Sequence, residues 1–189
     1  MATWKAARIS TDAASKIQTN AGILVRNFDV SDPRAPENAD ILFETTGDFT
    51  FNNQPTTSNF FEGVNNAPTN LKEGLQIDDW TNTLTITALS VTAETLKLAL
   101  GAADEDNDGG IRGRMQFQND DFQTLTWLGD MADPTKLFAI VMDNTVSTGG
   151  IQFTASNRGK GGMALTFTSY ATVADQERVP MAFYILTKA

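Results

Sequence analysis

The stretch Trp80-Thr81-Asn82-Thr83-Leu84-Thr85-Ile86-Thr87-Ala88 decides the fold class. Strict alternation places Leu84, Ile86 and Ala88 on one side of an extended chain and Thr83, Thr85 and Thr87 on the other. Such a strand has one core face and one polar face, as in an antiparallel sheet. Met163 to Ala171 repeats the pattern, with Met163, Leu165 and Phe167 opposite Ala164, Thr166 and Thr168. Ile111 to Phe117 reads as a third case, setting Ile111, Met115 and Phe117 against Arg112, Arg114 and Gln116. Threonine occurs 25 times in the chain, and β-branched residues suit a pleated, half-buried surface.

Two segments lack the alternation. Leu137 to Met142 and Met181 to Leu186 are apolar on both faces, which predicts cover from both sides, within the domain or by a neighbouring subunit. Gly22 to Phe28, Ile41 to Thr45, Phe49 to Asn52 and Phe122 to Leu128 are shorter strand candidates. Together they predict a mainly β protein, a sandwich or barrel of about eight or nine strands. One flanking α-helix interrupts it. Thr92 is placed as N-cap, Glu94 stands in the first turn and Gly101 is placed to end the helix. Val91 and Leu96 hold the positions of a hydrophobic staple, and Leu96, Ala99 and Leu100 form the expected apolar face. A weaker helix is expected over Thr11 to Gln18.

The 189 residues fit a single domain, 1–189, with an N-terminal arm over 1–21 and a long loop over 52–79. That loop is rich in Asn, Thr, Gly and Pro and shows no periodic segment. It nevertheless carries Phe60, Phe61, Val64, Leu71, Leu75 and Ile77, too much apolar content for a solvated linker. Either it is a long hairpin folded back on its own domain or it is a segment ordered by docking onto another subunit.

Composition narrows the chemistry. The chain has no cysteine and no histidine. Disulfides, thiolate metal sites and cysteine nucleophiles are therefore excluded, as are Ser-His-Asp and Cys-His arrangements. The opening residues contain no apolar run of the kind a signal peptide or membrane span needs, so an intracellular origin is expected. Net charge is −9 and unevenly placed. Residues 1–27 hold Lys5, Arg8, Lys16 and Arg26 against Asp12, which is +3 and leaves −12 for the remainder. So acidic a surface disfavours a groove that grips nucleic acid.

Candidate sites are few. Asp104-Glu105-Asp106-Asn107-Asp108-Gly109-Gly110-Ile111 reproduces the front of a calcium-binding EF-hand loop, with Asp104, Asp106 and Asp108 at the ligand positions. The closing glutamate is absent, because Met115 stands there, so the run reads as an acidic helix-to-strand turn and only weakly as a calcium site. Arg158-Gly159-Lys160-Gly161-Gly162 lacks the spacing of a phosphate loop and reads as a hairpin connection. Ser147-Thr148-Gly149-Gly150 has no adjoining acid in a protease string, and no carboxylate pair for glycoside hydrolysis is indicated. No catalytic residue, cofactor or firm metal site is expected, and the chain is not expected to be an enzyme.

In this order and spacing, the pieces resemble the major tail protein of siphophages, the phage tail tube family. The likeness runs from Gly22-Ile23-Leu24-Val25-Arg26-Asn27-Phe28-Asp29 through Ala39-Asp40-Ile41 to Thr45-Thr46-Gly47. It resumes at Asn66-Ala67-Pro68-Thr69-Asn70-Leu71-Lys72-Glu73 and Asp79-Trp80. Val91-Thr92-Ala93-Glu94-Thr95 and Leu100-Gly101-Ala102-Ala103-Asp104 follow. Asp121-Phe122, Leu125-Thr126-Trp127-Leu128-Gly129-Asp130, Ser147-Thr148-Gly149-Gly150 and Val179-Pro180-Met181 complete it. Gly47-Asp48 stands where paired glycines are usual, and the turn from Asp104 to Gly110 is more acidic than the family's. The resemblance implies a tail-tube β-sandwich or barrel that assembles as hexameric rings stacked into a tube for DNA. It implies a place in the virion, assembly in the host cytoplasm, and contacts with tape measure, distal tail and tail terminator proteins. Phe60, Phe61, Val64 and Leu71 become inter-ring candidates, and Glu44, Asp48 and Asp106 candidates for acids facing the lumen. A β-sandwich recognition module, of a phage baseplate or a carbohydrate-binding domain, is the alternative.

Overall fold

The computed structural model describes residues 12–188 apart from 21, 38, 39, 48, 67, 69, 156 and 158. In chain order its strands are β1 (Ile23–Arg26), β2 (Ile41–Phe43), β3 (Thr50–Asn59) and β4 (Leu75–Ala88). After helix α1 (Ala93–Leu100) come β5 (Ala103–Glu105), β6 (Ile111–Gly113), β7 (Gln123–Asp130) and β8 (Lys136–Ser147). β9 (Gln152–Thr154), β10 (Gly162–Ser169) and β11 (Met181–Thr187) complete the set. The protein is mainly β, as its alternating threonines require.

Nine strands form one antiparallel sheet, ordered β2-β1-β7-β8-β10-β4-β3, with β11 added on β8 and β9 on β10. The sheet curls until its ends meet. Past β2, Thr45 bridges to Ala88, the Thr46 N–H donates to Thr87 O at 2.9 Å, and the Leu89 N–H donates to Glu44 O at 2.9 Å. The result is a small barrel, and its interior is the core. Leu84, Ile86 and Ala88 face inward beside Met163, Leu165 and Phe167 of β10, all buried. On the outside, Thr85 meets Thr166 at 3.4 Å and Thr148 meets Thr168 at 2.8 Å through their hydroxyls. A second, smaller cluster lies on the outer face of β1, β7 and β8, where Val25, Leu128 and Ala139 are buried against Phe28, Tyr184 and Leu186.

Trp127 sits at the centre of the main core. A side chain at Gly22 would come within 2.6 Å of its ring, and one at Gly129 within 2.2 Å. Phe49 stacks on the indole at a centroid distance of 4.0 Å, and Phe138 meets it edge-on at 5.9 Å. The ring is thus seated in space that only glycines leave open.

Helix α1 begins as its sequence predicts, with Thr92 Oγ1 accepting from the Thr95 N–H at 3.1 Å. Gly101 ends it at φ 76°, where a Cβ would stand 2.7 Å from Ser147 O. Its buried face is Thr95, Leu98 and Ala99, with Leu96 only partly covered, rather than Leu96, Ala99 and Leu100. Val91 is exposed, so of the expected staple only Leu96 reaches the core.

Three further expectations need correction. Ile111–Phe117 is not a long strand: only β6 pairs, in a two-stranded hairpin with β5, and Met115 is wholly exposed. The helix expected over 11–18 is a single 3-10 turn at Ala14–Lys16, and Thr11 lies outside the described residues. The region 52–79 is a hairpin rather than a structureless loop: β3 runs on to Asn59 and β4 begins at Leu75, paired along their length. Of the two apolar segments, β8 finds its cover within the domain, whereas β11 leaves Phe183 and Ile185 exposed, so only cover by a neighbouring subunit remains open for it.

Two glycine substitutions test this packing. Gly129→Ala is expected to cost roughly 1–3 kcal/mol by overpacking the indole. Gly101→Ala should cost roughly 1–3 kcal/mol through the strained φ. Urea unfolding checks both, as lower midpoints at an unchanged slope.

Candidate assembly surface

β3 pairs with β4 from Thr50↔Thr85 out to Asn59↔Leu75, but β10 accompanies β4 only between Thr83 and Ala88. Beyond Thr83 the two strands continue alone as a ribbon with both faces largely exposed. Buried Asn82 marks the root, its side-chain amide bonded to that of Asn53. Inward of it the alternating residues are apolar; outward they meet water. Pro55 stands in mid-strand on the sheet edge, the place where a missing N–H is tolerated.

The tip is closed by its own contacts. The Phe60 N–H donates to Gly74 O at 2.8 Å, and Asn59 Oδ1 accepts from the Phe61 N–H at 2.9 Å. A side chain at Gly74 would strike both Asn59 Oδ1 and the Phe61 ring. Of the four inter-ring candidates, Phe60 (72% exposed) and Val64 are solvent-facing, whereas Phe61 and Leu71 are half-buried within the tip. Leu75 and Ile77 add exposed apolar surface along the ribbon. A two-stranded ribbon alone is marginal in water, and exposed apolar groups along its length favour cover by another surface.

A second apolar surface lies on β11. This strand pairs with β8 from Met181↔Met142 to Thr187↔Lys136 and with no other strand among the described residues. Phe183 stacks near Phe138 (6.2 Å) and meets Phe51 edge-on (5.4 Å), yet remains 51% exposed, and Ile185 is 66% exposed. Sequence reading found the segment but not its exposure, because facing depends on what lies opposite.

The acidic candidates are scattered. Asp104 lies on β5 and pairs with Arg114 at 3.4 Å, Asp106 receives Arg112 Nε at 2.5 Å, and Asp108 is exposed in the turn. The turn itself is closed by the Asp106 N–H donating to Gly110 O at 2.7 Å. Among the described residues no group of three or more acids is arranged to hold a metal ion. Glu44 lies at the barrel seam, exposed, its carboxyl held below the usual range by its own N–H and the Ser90 hydroxyl. Asp48 lies outside the described residues. The glycine-rich stretch before β10 is a hairpin connection, with Gly162 opposite Thr154, as its sequence predicts.

Both ends of the described chain converge on Asp130. Lys188 Nζ donates to its carboxylate at 2.8 Å and holds it below the usual range, against partial burial; Asn20 donates at 2.6 Å. Because its folded pKa is depressed, Asp130 contributes stability above the ordinary carboxylate range and loses it as pH falls through the folded value. Both partners are half-exposed, so the pair is worth about 0–1 kcal/mol. Asp130→Asn is therefore expected to speed amide exchange at Lys188 and the end of β11 at neutral pH. The wild type should show the same loosening only below about pH 4.

No family model matches the chain, and no curated protein matches it. Among solved structures it is similar to a chain of the virion of a native gene transfer agent particle. That likeness has a TM-score of 0.40 at 8% identity, over 87% of this chain and 95% of that one. It is also similar to a chain from the tail of an empty gene transfer agent particle with C6 symmetry, at TM-score 0.38 and 9% identity. Coverage there is 77% of this chain and 85% of that one.

Proposed function

We propose that this chain is the structural subunit of a phage-type tail tube, a protein whose work is self-association rather than catalysis. The observation that carries the reading is the arm of β3 and β4, a ribbon bare on both faces with apolar residues along it and at its tip. The sequence resemblance to siphophage major tail proteins supports it independently. In this reading subunits form hexameric rings, and the arm of one ring docks on the next. Stacking of this kind is open-ended, so the top of one subunit complements the bottom of another. Tape measure, distal tail and tail terminator proteins are the partners at and within the tube, and the virion tail is its location.

The acidity of residues 28–189 then acts on the cargo. Duplex DNA carries one negative charge per roughly 1.7 Å of axis, so a like-charged wall keeps it from adsorbing. Glu44, exposed and outside any ion pair among the described residues, suits this role better than Asp106, which Arg112 already neutralises.

Negative-stain microscopy of the concentrated protein tests the reading: rings or tubes of uniform bore are expected. A fixed small oligomer with affinity for saccharides would instead support a recognition module. Phe60→Ala combined with Phe61→Ala should leave circular dichroism nearly unchanged and weaken polymerisation. Phe60→Ala alone should show most of the effect, since that ring contributes little to its own fold. Undiminished tube yield in both variants would remove the arm from the inter-ring contact.

A further inference from the structure

A groove of about 430 Å3 lies between the root of the arm and the segment joining β10 to β11. Ile77, Asp78, Asp79, Trp80, Glu177 and Pro180 line it. Trp80 is half-buried and Ile77 is 56% exposed, so the groove offers apolar contact. Its charge is one-sided. Asp78 accepts from the Ser58 hydroxyl at 2.8 Å and Asp79 from the Trp80 N–H at 2.7 Å. No ion pair among the described residues engages Asp78, Asp79 or Glu177. The one cation of the lining, Arg178, already pairs with Asp143 and Asp175. The chemistry that fits is an extended peptide carrying cations between apolar side chains.

This chain holds such a segment. Residues 1–11 contain Lys5 and Arg8 and no acid, and Trp4 and Ile9 flank the two cations in Trp4-Lys5-Ala6-Ala7-Arg8-Ile9. The rest of the chain is strongly acidic. Placement adds a direction. Residues 17 and 18 lie at the connection between β7 and β8, where Ile17 O accepts from the Ala132 N–H at 2.7 Å and Gln18 bridges to Met131. The groove lies towards the other end of β8, where Pro180 O accepts from the Asp143 N–H at 2.9 Å. At about 3.3 Å per residue, Asp143 is roughly 23 Å along the strand from Lys136. A basic segment that joins the fold near one end of β8 and an acidic groove near its other end suit copies arranged head to tail.

We propose that residues 1–11 of one copy occupy the groove between Trp80 and Glu177 of the next, as a strap between successive subunits. This rests on the reading that the chain polymerises. Because the protein has no cysteine, a disulfide introduced by design reports the contact without background. In assembled protein carrying Arg8→Cys and Glu177→Cys, mild oxidation is expected to give a ladder of covalent multimers on a non-reducing gel. Neither single variant should give more than a dimer. An absence of disulfide, or one confined within single chains, overturns the proposal. Deleting residues 1–11 should leave circular dichroism unchanged and raise the concentration needed for assembly about tenfold, the equivalent of about 1.4 kcal/mol per contact. If the shortened chain assembles as readily as the full one, the strap is refuted and the tube reading stands. If the full chain never assembles, both fall.

Discussion

The edge of β8 has room for one partner at a time, and two strands share it. β11 takes the first half, from Lys136 to Met142, and β10 takes the last three residues, from Thr145 to Ser147. The exchange happens at Asp143 and Asn144, where the register with β7 also slips and Asn144 adopts φ 46°. Local bonds hold the break. The Asn144 side chain donates to Tyr170 O at 3.1 Å, the Tyr170 N–H donates to Asn144 O at 3.2 Å, and the Asp143 N–H is satisfied by Pro180. Asparagine tolerates the left-handed region better than most residues. Once β10 has taken the far end of that edge, the sheet can turn and close on itself at Thr45 and Ala88.

Closure has a consequence at the surface. Among the described residues β11 is left as a seven-residue strand bonded on one side only, with Phe183 and Ile185 outward. An edge of this kind is a template for another chain unless something blunts it. β3 carries Pro55 at mid-strand; β11 carries no proline, and its first charge, Lys188, comes just beyond its end. Rings connect this surface to the centre of the fold, from Phe183 to Phe138 to Trp127 to Phe49. Each such contact is worth about 0.5–1.5 kcal/mol beyond burial. Cover over β11 would therefore tighten the same aromatic row that fills the barrel.

The arm and the barrel obey opposite rules. Within the barrel a polar group does best with a partner, and Thr145 finds one by donating to Met142 O at 3.0 Å, whereas the buried hydroxyls of Thr126, Ser147 and Ser169 find none among the described residues. Along the arm, threonine, asparagine and aspartate face water on both sides, and the ribbon is held mainly by the β3–β4 ladder. This division lets one β4 strand serve as core wall in its second half and as projecting arm in its first.

Alternation was legible wherever one face of a strand is buried and the other is not. Hence β4 from Leu84 onward and β10 could be read from residue types alone, as could the caps of α1. The same rule explains the failures. The segment 53–59 has water on both faces, so it has no amphipathic signal, and its Asn, Pro and Thr look like loop. Ile111 to Phe117 alternates, yet only Ile111–Gly113 finds a strand to pair with. The apolar residues of 60–77 announced a surface needing cover, but whether each points outward waited on the tip geometry that turns Phe61 in and Phe60 out. Sequence by itself determined the β class, the one helix, the absence of histidine and cysteine chemistry, and the basic start on an acidic chain. These follow from residue type and local spacing. Tertiary structure alone decided the partner exchange on β8, the bare edge of β11, the projecting arm and the acidic groove at its root. Each of these depends on which distant segments meet, and pairing between distant segments leaves no periodic mark on either one.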